Sequence, residues 1–400
     1  MSSGAAGAAL RGMTAHPLFT LILAAVMGYA LFVELPKRVQ AARRSAAIKV
    51  RPDHLRAGPA GWSVGFFTEQ GDKKLWSLAI LKDKSVVAAD FDSHCIRQFK
   101  RRTDGGGQQS MFAGRDNENG FLDGTAGEAR FFGPSGVVTG ENDEVYVADS
   151  GNHCIRKIIS GRDRREVKIL AGSRVAAAVA GAVDGTLDRA TFNRPSGIAI
   201  GKRPQRTCWN CCWRGSRGKL FVTEYQGHRV RIISKSDVTT LAGSGVAGFL
   251  EGKGAAAQFN QPAGIAVNKD DVVFVADTMN HRIRRITNGT VDTLAGSGVE
   301  GFRDGAGAVA MFNRPTGLAI DPDTGFILVA DCGNHRIRAI EPKTGDVSTI
   351  AGSGAQGGNN NVDAAAATFN SPSGIAVDKD GRILVADSEN MFIRLITRHA

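Results

Sequence analysis

Residues 275–286 read VADTMNHRIRRI, and near-copies begin at Val147, Val222 and Val329. Five of the eight histidines fall in one slot of this pattern: His94, His153, His228, His281 and His335. A chain built from near-copies of one unit stacks those units, because each buries its apolar face against the next. The fourth copy reads FNQPAGIAVNKDDVVFVADTMNHRIRRITNGTVDTLAG, followed by a glycine-rich linker. It holds four short runs rich in apolar and β-branched residues, GIAV, VFVAD, RIRRI and VDTLAG, punctuated by Gly, Asn and Asp. Runs of that composition and length read as strands, and Asn288-Gly289 between the last two reads as a hairpin turn.

Marker phenylalanines at Phe132, Phe192, Phe259, Phe312 and Phe369 open five good copies, and LWSLAILKDKSVVAADFDSHCIRQF is a degenerate earlier one. The pattern P-x-G-I-A-V, V-A-D, N-H-R-I-R resembles the NHL-repeat propellers over about residues 48–397. That resemblance implies an all-β, six-bladed β-propeller, within the usual range of blade numbers. The last copy stops at Ala400 without a fourth strand, whereas VRPDHLRAGPAG upstream of the first copy mimics an outer strand. Residues 48–57 are therefore expected to complete the last blade, so that an N-terminal strand closes the ring and removes its edges.

An acid closes each second strand: Asp90, Asp149, Glu224, Asp277, Asp331 and Asp387. Seven residues on stands Arg97, Arg156, Arg231, Arg284, Arg338 or Arg394. Acid and arginine on one hairpin in every blade predict a charge-assisted hydrogen-bond network. Histidines on the second-to-third strand turns of different blades stand too far apart to share a zinc, whose ligand nitrogens lie about 2 Å from the ion. The histidine slot is therefore read as structural. Linker acids Asp123, Asp184, Glu251, Asp304 and Asp363 sit mostly beside glycine. One acid per loop falls short of the six to eight oxygens that calcium takes, and reads instead as an Asx-type turn. No catalytic residue, metal or cofactor is expected.

The net charge of +11 arises in two appendages, residues 1–60 and 201–219, and the rest of the chain is close to neutral. A neutral body disfavours nucleic acid, although some NHL propellers bind RNA through a basic face. The sequence divides into a tail (1–16), a hydrophobic segment (17–35), a basic linker (36–47), the propeller (48–397), and a basic Cys-rich insertion (201–219) in the third blade. The uncharged run 17–33 has most of its basic residues on the C-terminal side, which predicts a single-pass membrane anchor with a cytosolic propeller; a cleaved signal and a luminal or secreted protein is the alternative. Cys208, Cys211 and Cys212 lack the second pair that a four-ligand zinc site needs.

Related six-bladed scaffolds include lactonases and an amidating lyase, whose metal sites use polar or acidic residues at the channel mouth. The corresponding positions here, Ser135, Ser196, Ala263, Thr316 and Ser373, are small. The expected function is therefore a monomeric, non-catalytic scaffold that binds a protein or peptide through variable linkers, with Arg115, Glu118, Arg174 and Arg303 as candidate contact residues. A propeller hydrolase and an RNA-binding propeller are the alternatives.

Overall fold

In the computed structural model of the chain, residues 62–68, 73–101, 107–161, 164–173, 180–201 and 218–398 are described. They form six antiparallel sheets, one per blade. Blade IV is representative: inner strand Pro262–Val267, then Val273–Asp277, Arg282–Thr287 and outer strand Thr290–Ala295. Its hairpin turn has φ of 52° at Asn288 and 78° at Gly289, the left-handed pair that an Asn-Gly turn provides. The second strands, such as VFVAD, are buried at every residue. Both of their faces meet a neighbouring blade, which explains why they read as continuous apolar runs rather than as alternating ones. The core accordingly lies between blades, where Phe274 and Ala276 of blade IV pack with Phe312, Leu318 and Val329 of blade V.

The N-terminal strand closes the last blade, whose order is Trp62–Phe66, Phe392–Arg398, Ile383–Asp387, Pro372–Val377. The closing strand is thus Trp62–Phe66 rather than residues 48–57. Trp62 pairs with Arg398 and Phe66 with Arg394, and the earlier segment lies outside the described residues. Trp62, Val64 and Phe66 share one face of this strand, and the Ser63 hydroxyl on the other bonds Thr397 at 2.9 Å. Val64 is fully buried and its neighbours Trp62 and Phe66 are half-buried. A second correction concerns the marker of blade II. Phe131, not Phe132, aligns with the fully buried Phe192, Phe259, Phe312 and Phe369, and Phe132 is 43% exposed.

Each inner strand touches the next through a glycine. A Cβ on Gly136, Gly197, Gly264 or Gly317 would lie 2.0–2.2 Å from the carbonyl oxygen of Ser196, Ala263, Thr316 or Ser373. Only glycine permits that approach. The first copy departs from the pattern here. By strand register Ser77 takes the glycine place and Trp76 the small-residue place, and the Ser77 hydroxyl accepts from the Val137 amide at 3.2 Å.

The expectation of a single-pass membrane protein with a cytosolic propeller is corrected. No helix among the described residues is long and apolar enough to cross a membrane. Residues 17–35 and the cysteines of the 201–219 insertion lie outside the described residues. The insertion falls between the inner strand Pro195–Ile200 and the second strand Leu220–Glu224 of blade III.

Candidate functional site

The histidine turns and the inter-blade linkers lie on one face, tied together by asparagines. The Nδ2 of Asn152, Asn280, Asn334 and Asn390 donates to the carbonyls of Gly120, Gly248, Gly301 and Gly357 at 2.7–2.8 Å. In blade IV the same Nδ2 donates to Asp277 Oδ2 at 2.8 Å, while Asp277 Oδ1 accepts from the Asn260 amide at 2.7 Å. Arg284 donates to Asp277 at 2.9 Å and to the carbonyls of Gln258 and Leu250 at 3.1 Å. Its guanidinium also lies over the Phe259 ring at 5.4 Å. Acid and arginine are both fully buried, and the arginine fastens the linker at two points, Leu250 and Gln258, to the blade that follows it.

The other blades repeat this arrangement. Arginine to acid distances are 3.1 Å for Arg156–Asp149, 2.9 Å for Arg231–Glu224, 2.7 Å for Arg338–Asp331 and 2.8 Å for Arg394–Asp387. In blade I, Arg97 binds Asp90 at 2.6 Å and Asp116 of the following linker at 2.5 Å. Asp90, Cys95 and Asp116 are also the described grouping closest to a metal site. The Arg97 guanidinium already occupies the space between the carboxylates, and burial pushes the Cys95 thiol up to about 12. Burial likewise pushes Asp149 up to about 6 and Glu224 up to about 7, against the opposing pull of the paired arginines. Glu224 has a glycine, Gly227, where four of the turns have asparagine and blade I has Ser93, and its Oε2 is buried without a partner.

The linker acids do not make the local turns expected of them, with one exception. Asp123, Asp184 and Asp304 pair with Arg156, Arg231 and Arg338. They also accept outer-strand amides from Ile169, Thr240 and Thr349 at 3.0–3.1 Å. Glu251 accepts from Thr293 in the same way at 2.9 Å. Asp363 alone accepts locally, from Ala365 at 3.0 Å.

Each histidine occupies the left-handed region, with φ of 51–58°. Its Nδ1 accepts a backbone amide from the entrance of the next blade: Gly133 to His94, Arg194 to His153, Gln261 to His228, Arg314 to His281 and Ser371 to His335, at 3.1–3.2 Å. The slot is a latch between blades, and in blade VI Met391 fills it. An accepting Nδ1 must be unprotonated. Burial, helped by adjacent arginines, lowers the pKa of His153, His228 and His335, and at His281 burial outweighs the opposing pull of Glu300. With folded pKa values below the ordinary 6.5, the latch contribution is full above about pH 6.5 and is lost as pH falls through the folded values. The carboxylates Asp149 and Glu224 shift the opposite way, so the test is a difference. Changing these four histidines to asparagine, which tolerates the left-handed region without titrating, should shrink the loss of melting temperature between about pH 7.5 and pH 5. An unchanged loss would show that the latches do not titrate.

Of the candidate contact residues, Arg115 and Glu118 are exposed and 3.7 Å apart, and Glu118 also binds Arg130 at 2.7 Å. Arg303 is exposed, with its carbonyl held by Arg338. Arg174 lies outside the described residues. Sequence reasoning missed the apolar component of these loops: Val246, Phe249, Leu250, Val299 and Phe302 are all 43–60% exposed. Phe249 and Phe302 lie beneath Arg282 and Arg336 at 3.8 and 3.7 Å. The recurring Val and Phe after each GSG in these two linkers was the available signal. A cavity of 210 Å³ lined by Leu170, Leu187 and Ser236 sits among outer-strand and linker residues.

A family model described as the NHL repeat matches residues 131–158, 259–286, 312–340 and 369–394. These spans begin on the buried phenylalanine and extend to or past the buried arginine. The chain is an NHL-repeat protein. It is 29% identical over 299 residues to Protein SUPPRESSOR OF QUENCHING 1, chloroplastic, of Arabidopsis thaliana, covering 71% of this chain and 26% of that protein. It is 29% identical over 316 residues to human NHL repeat-containing protein 2, covering 69% and 40%. The NHL-repeat chain thus spans well under half the length of these relatives. A solved auxiliary nutrient binding protein from Bacteroides ovatus superposes with a TM-score of 0.60 at 14% identity, over 85% of this chain and 78% of that one. A gluconolactonase from Xanthomonas campestris does so with a TM-score of 0.52 at 11% identity, over 84% and 89%. These two likenesses show the propeller fold.

Proposed function

We propose that this NHL-repeat propeller is a non-catalytic scaffold that captures a protein or peptide on its histidine-turn face. The observation behind this reading is the contrast between near-identical strands and linkers that differ in length, charge and apolar content. Fastened at two points each by buried arginines, the linkers present Val246, Leu250 and Val299 to solvent on a rigid support. Among the described residues, no carboxylate or histidine cluster converges on the mouth in a form free to hold a metal, since Arg97 spans the Asp90–Asp116 pair. Fold likeness to a lactonase does not supply chemistry.

Reversing charge at Arg115, Glu118 and Arg303 together should weaken capture of a binding partner from extract of the source cell. Melting should stay nearly fixed, because exposed substitutions usually alter stability by only about 0.5 kcal/mol. Capture that survives all three changes would defeat the assignment to this face. Turnover of a lactone, abolished by a mutation on this face, would defeat the non-catalytic reading.

A further inference from the structure

The entrance to each inner strand carries one residue at an equivalent place beside the channel mouth. In chain order these are Lys74, Gly133, Arg194, Gln261, Arg314 and Ser371. Cations therefore stand on alternate blades, I, III and V. From Gly133 onward the position is left-handed, with φ of 49–54°. For a residue other than glycine, that conformation has a cost of order 1 kcal/mol. Blade II uses glycine there, so the fold tolerates the residue without a side chain, yet blades III and V place arginine in the strained position.

Among the described residues, neither arginine's guanidinium is fastened by the fold. Their amides reach the histidine latches of the preceding blades, but among the described residues neither guanidinium has a side-chain hydrogen bond or ion pair. By contrast, Lys74 is paired with Glu389 at 3.0 Å. The direction of these side chains follows from Gly133, where a Cβ would meet the Phe91 ring at 3.0 Å, the first turn residue of the preceding blade. In the same conformation Arg194 and Arg314 start toward Ser150 and Thr278, over the inner ends of the turns. Neighbouring inner strands are in backbone contact, so alternate positions around the ring are roughly 10 Å apart, within the span of two arginine side chains.

The degenerate first blade supplies the complement. Trp76 occupies the slot that is Ser, Ala or Thr in every other blade, and is 46% exposed. Its ring packs against Phe91 at 5.1 Å with a tilt of 35°. Phe132, 43% exposed, stands beside His94 at 5.5 Å. One side of the mouth is thus an open aromatic shelf, and the other carries two unpaired guanidiniums.

We propose that the channel mouth binds a short acidic peptide, with an apolar side chain on Trp76 and Phe91 and carboxylates on Arg194 and Arg314. This deepens, and rests on, the scaffold reading above. Guanidinium forks match carboxylates, and aromatic shelves give contact area at low entropic cost. A phosphate chain fits less well, because it carries a charge at every link past Asp92 and Glu389 beside the shelf, whereas a peptide can place an uncharged side chain there.

The test uses the full chain, immobilised, and two fluorescein-labelled decapeptide pools with one fixed phenylalanine. Flanking positions are drawn from Asp, Glu, Gly and Ser in one pool, and from Asn, Gln, Gly and Ser in the other. The acidic pool should be retained about tenfold more strongly. Arg194→Gln with Arg314→Gln should abolish that preference, whereas Arg194→Lys with Arg314→Lys, which keeps the charge and loses the fork, should keep part of it. Trp76→Ser should lower retention of both pools with the melting temperature held. Equal retention of the pools, or a preference that survives the glutamine variant, overturns the proposal. So does a single-stranded RNA oligonucleotide bound through the same arginines while both pools fail. Cellular partner capture that survives the mouth variants but not the linker reversals would leave the scaffold reading standing and remove this site alone.

Discussion

A chain begun at Leu75 should melt about 10 °C below one begun at residue 60, with a broader transition and a tendency to associate. Among the described residues, the strand Trp62–Phe66 pairs with the outer edge of Phe392–Arg398, and Phe67 and Thr68 continue the cover onto Ile393. Val64 is fully buried, Phe66 packs edge-on to Phe392 at 5.0 Å, and Arg394 lies over the Phe66 ring at 5.2 Å. The Val64 amide also reaches the Asn361 carbonyl at 2.8 Å, binding the linker before blade VI. Burial of a Val and two partly covered aromatics contributes about 4 kcal/mol, and for a domain of this size each kcal/mol moves the melting temperature by about 2–4 °C. The bare edge would in addition invite pairing with another chain. A peptide spanning residues 60–68, added to the shortened chain, should restore much of the loss. Equal melting of the two chains, or indifference to the peptide, would mean that the ring is held shut elsewhere.

The closing strand shows what the sequence did and did not reveal. That a strand was missing after FIRLIT could be counted, because every other copy has one. Which upstream segment supplies it could not be settled by likeness to VDTLAG. The decisive quantity is how one strand face fills the space beside Ile396 and Asn361, and residues 62–66 share no motif with the other outer strands. The repeated acid and arginine were legible because a fixed spacing on one hairpin makes them neighbours. The role of Asp123, Asp184 and Asp304 was not, because their partners lie on the next blade and only the path of the linker brings them there. Trp76 went unnoticed for a related reason: the first copy is too degenerate to align without the strand register. The sites where this chain departs from its own repeat are the ones a repeat-based reading averages away.

Arg284→Ala should destabilise the propeller by about 3–5 kcal/mol, the cost of leaving a buried charge without its partner. Asp277 would keep its bonds to Asn280 and the Asn260 amide, but the linker carbonyls of Gln258 and Leu250 would lose their donor. The pH dependence should change in a defined direction. Burial already raises the Asp277 pKa, against the opposing pull of Asn280, the Asn260 amide and Arg284. Without Arg284 it should rise further. A raised carboxylate pKa gives stability that is present below the unfolded value near 3.9 and lost as pH rises through the folded value. The variant's deficit against the parent should therefore widen from acid to neutral pH. Asp277→Asn in the Arg284→Ala background, which removes the stranded charge and keeps the amide acceptor, should recover part of the loss at neutral pH and little at acid pH. A deficit independent of pH, or a second substitution that adds its own full cost, would show that Arg284 acts through packing on Phe249 and Phe259 rather than through its charge. Because the same arrangement recurs in Arg156, Arg231, Arg338 and Arg394, the outcome for one blade predicts the others, with Glu224 the informative exception: its turn has no asparagine to hold the carboxylate when Arg231 is removed.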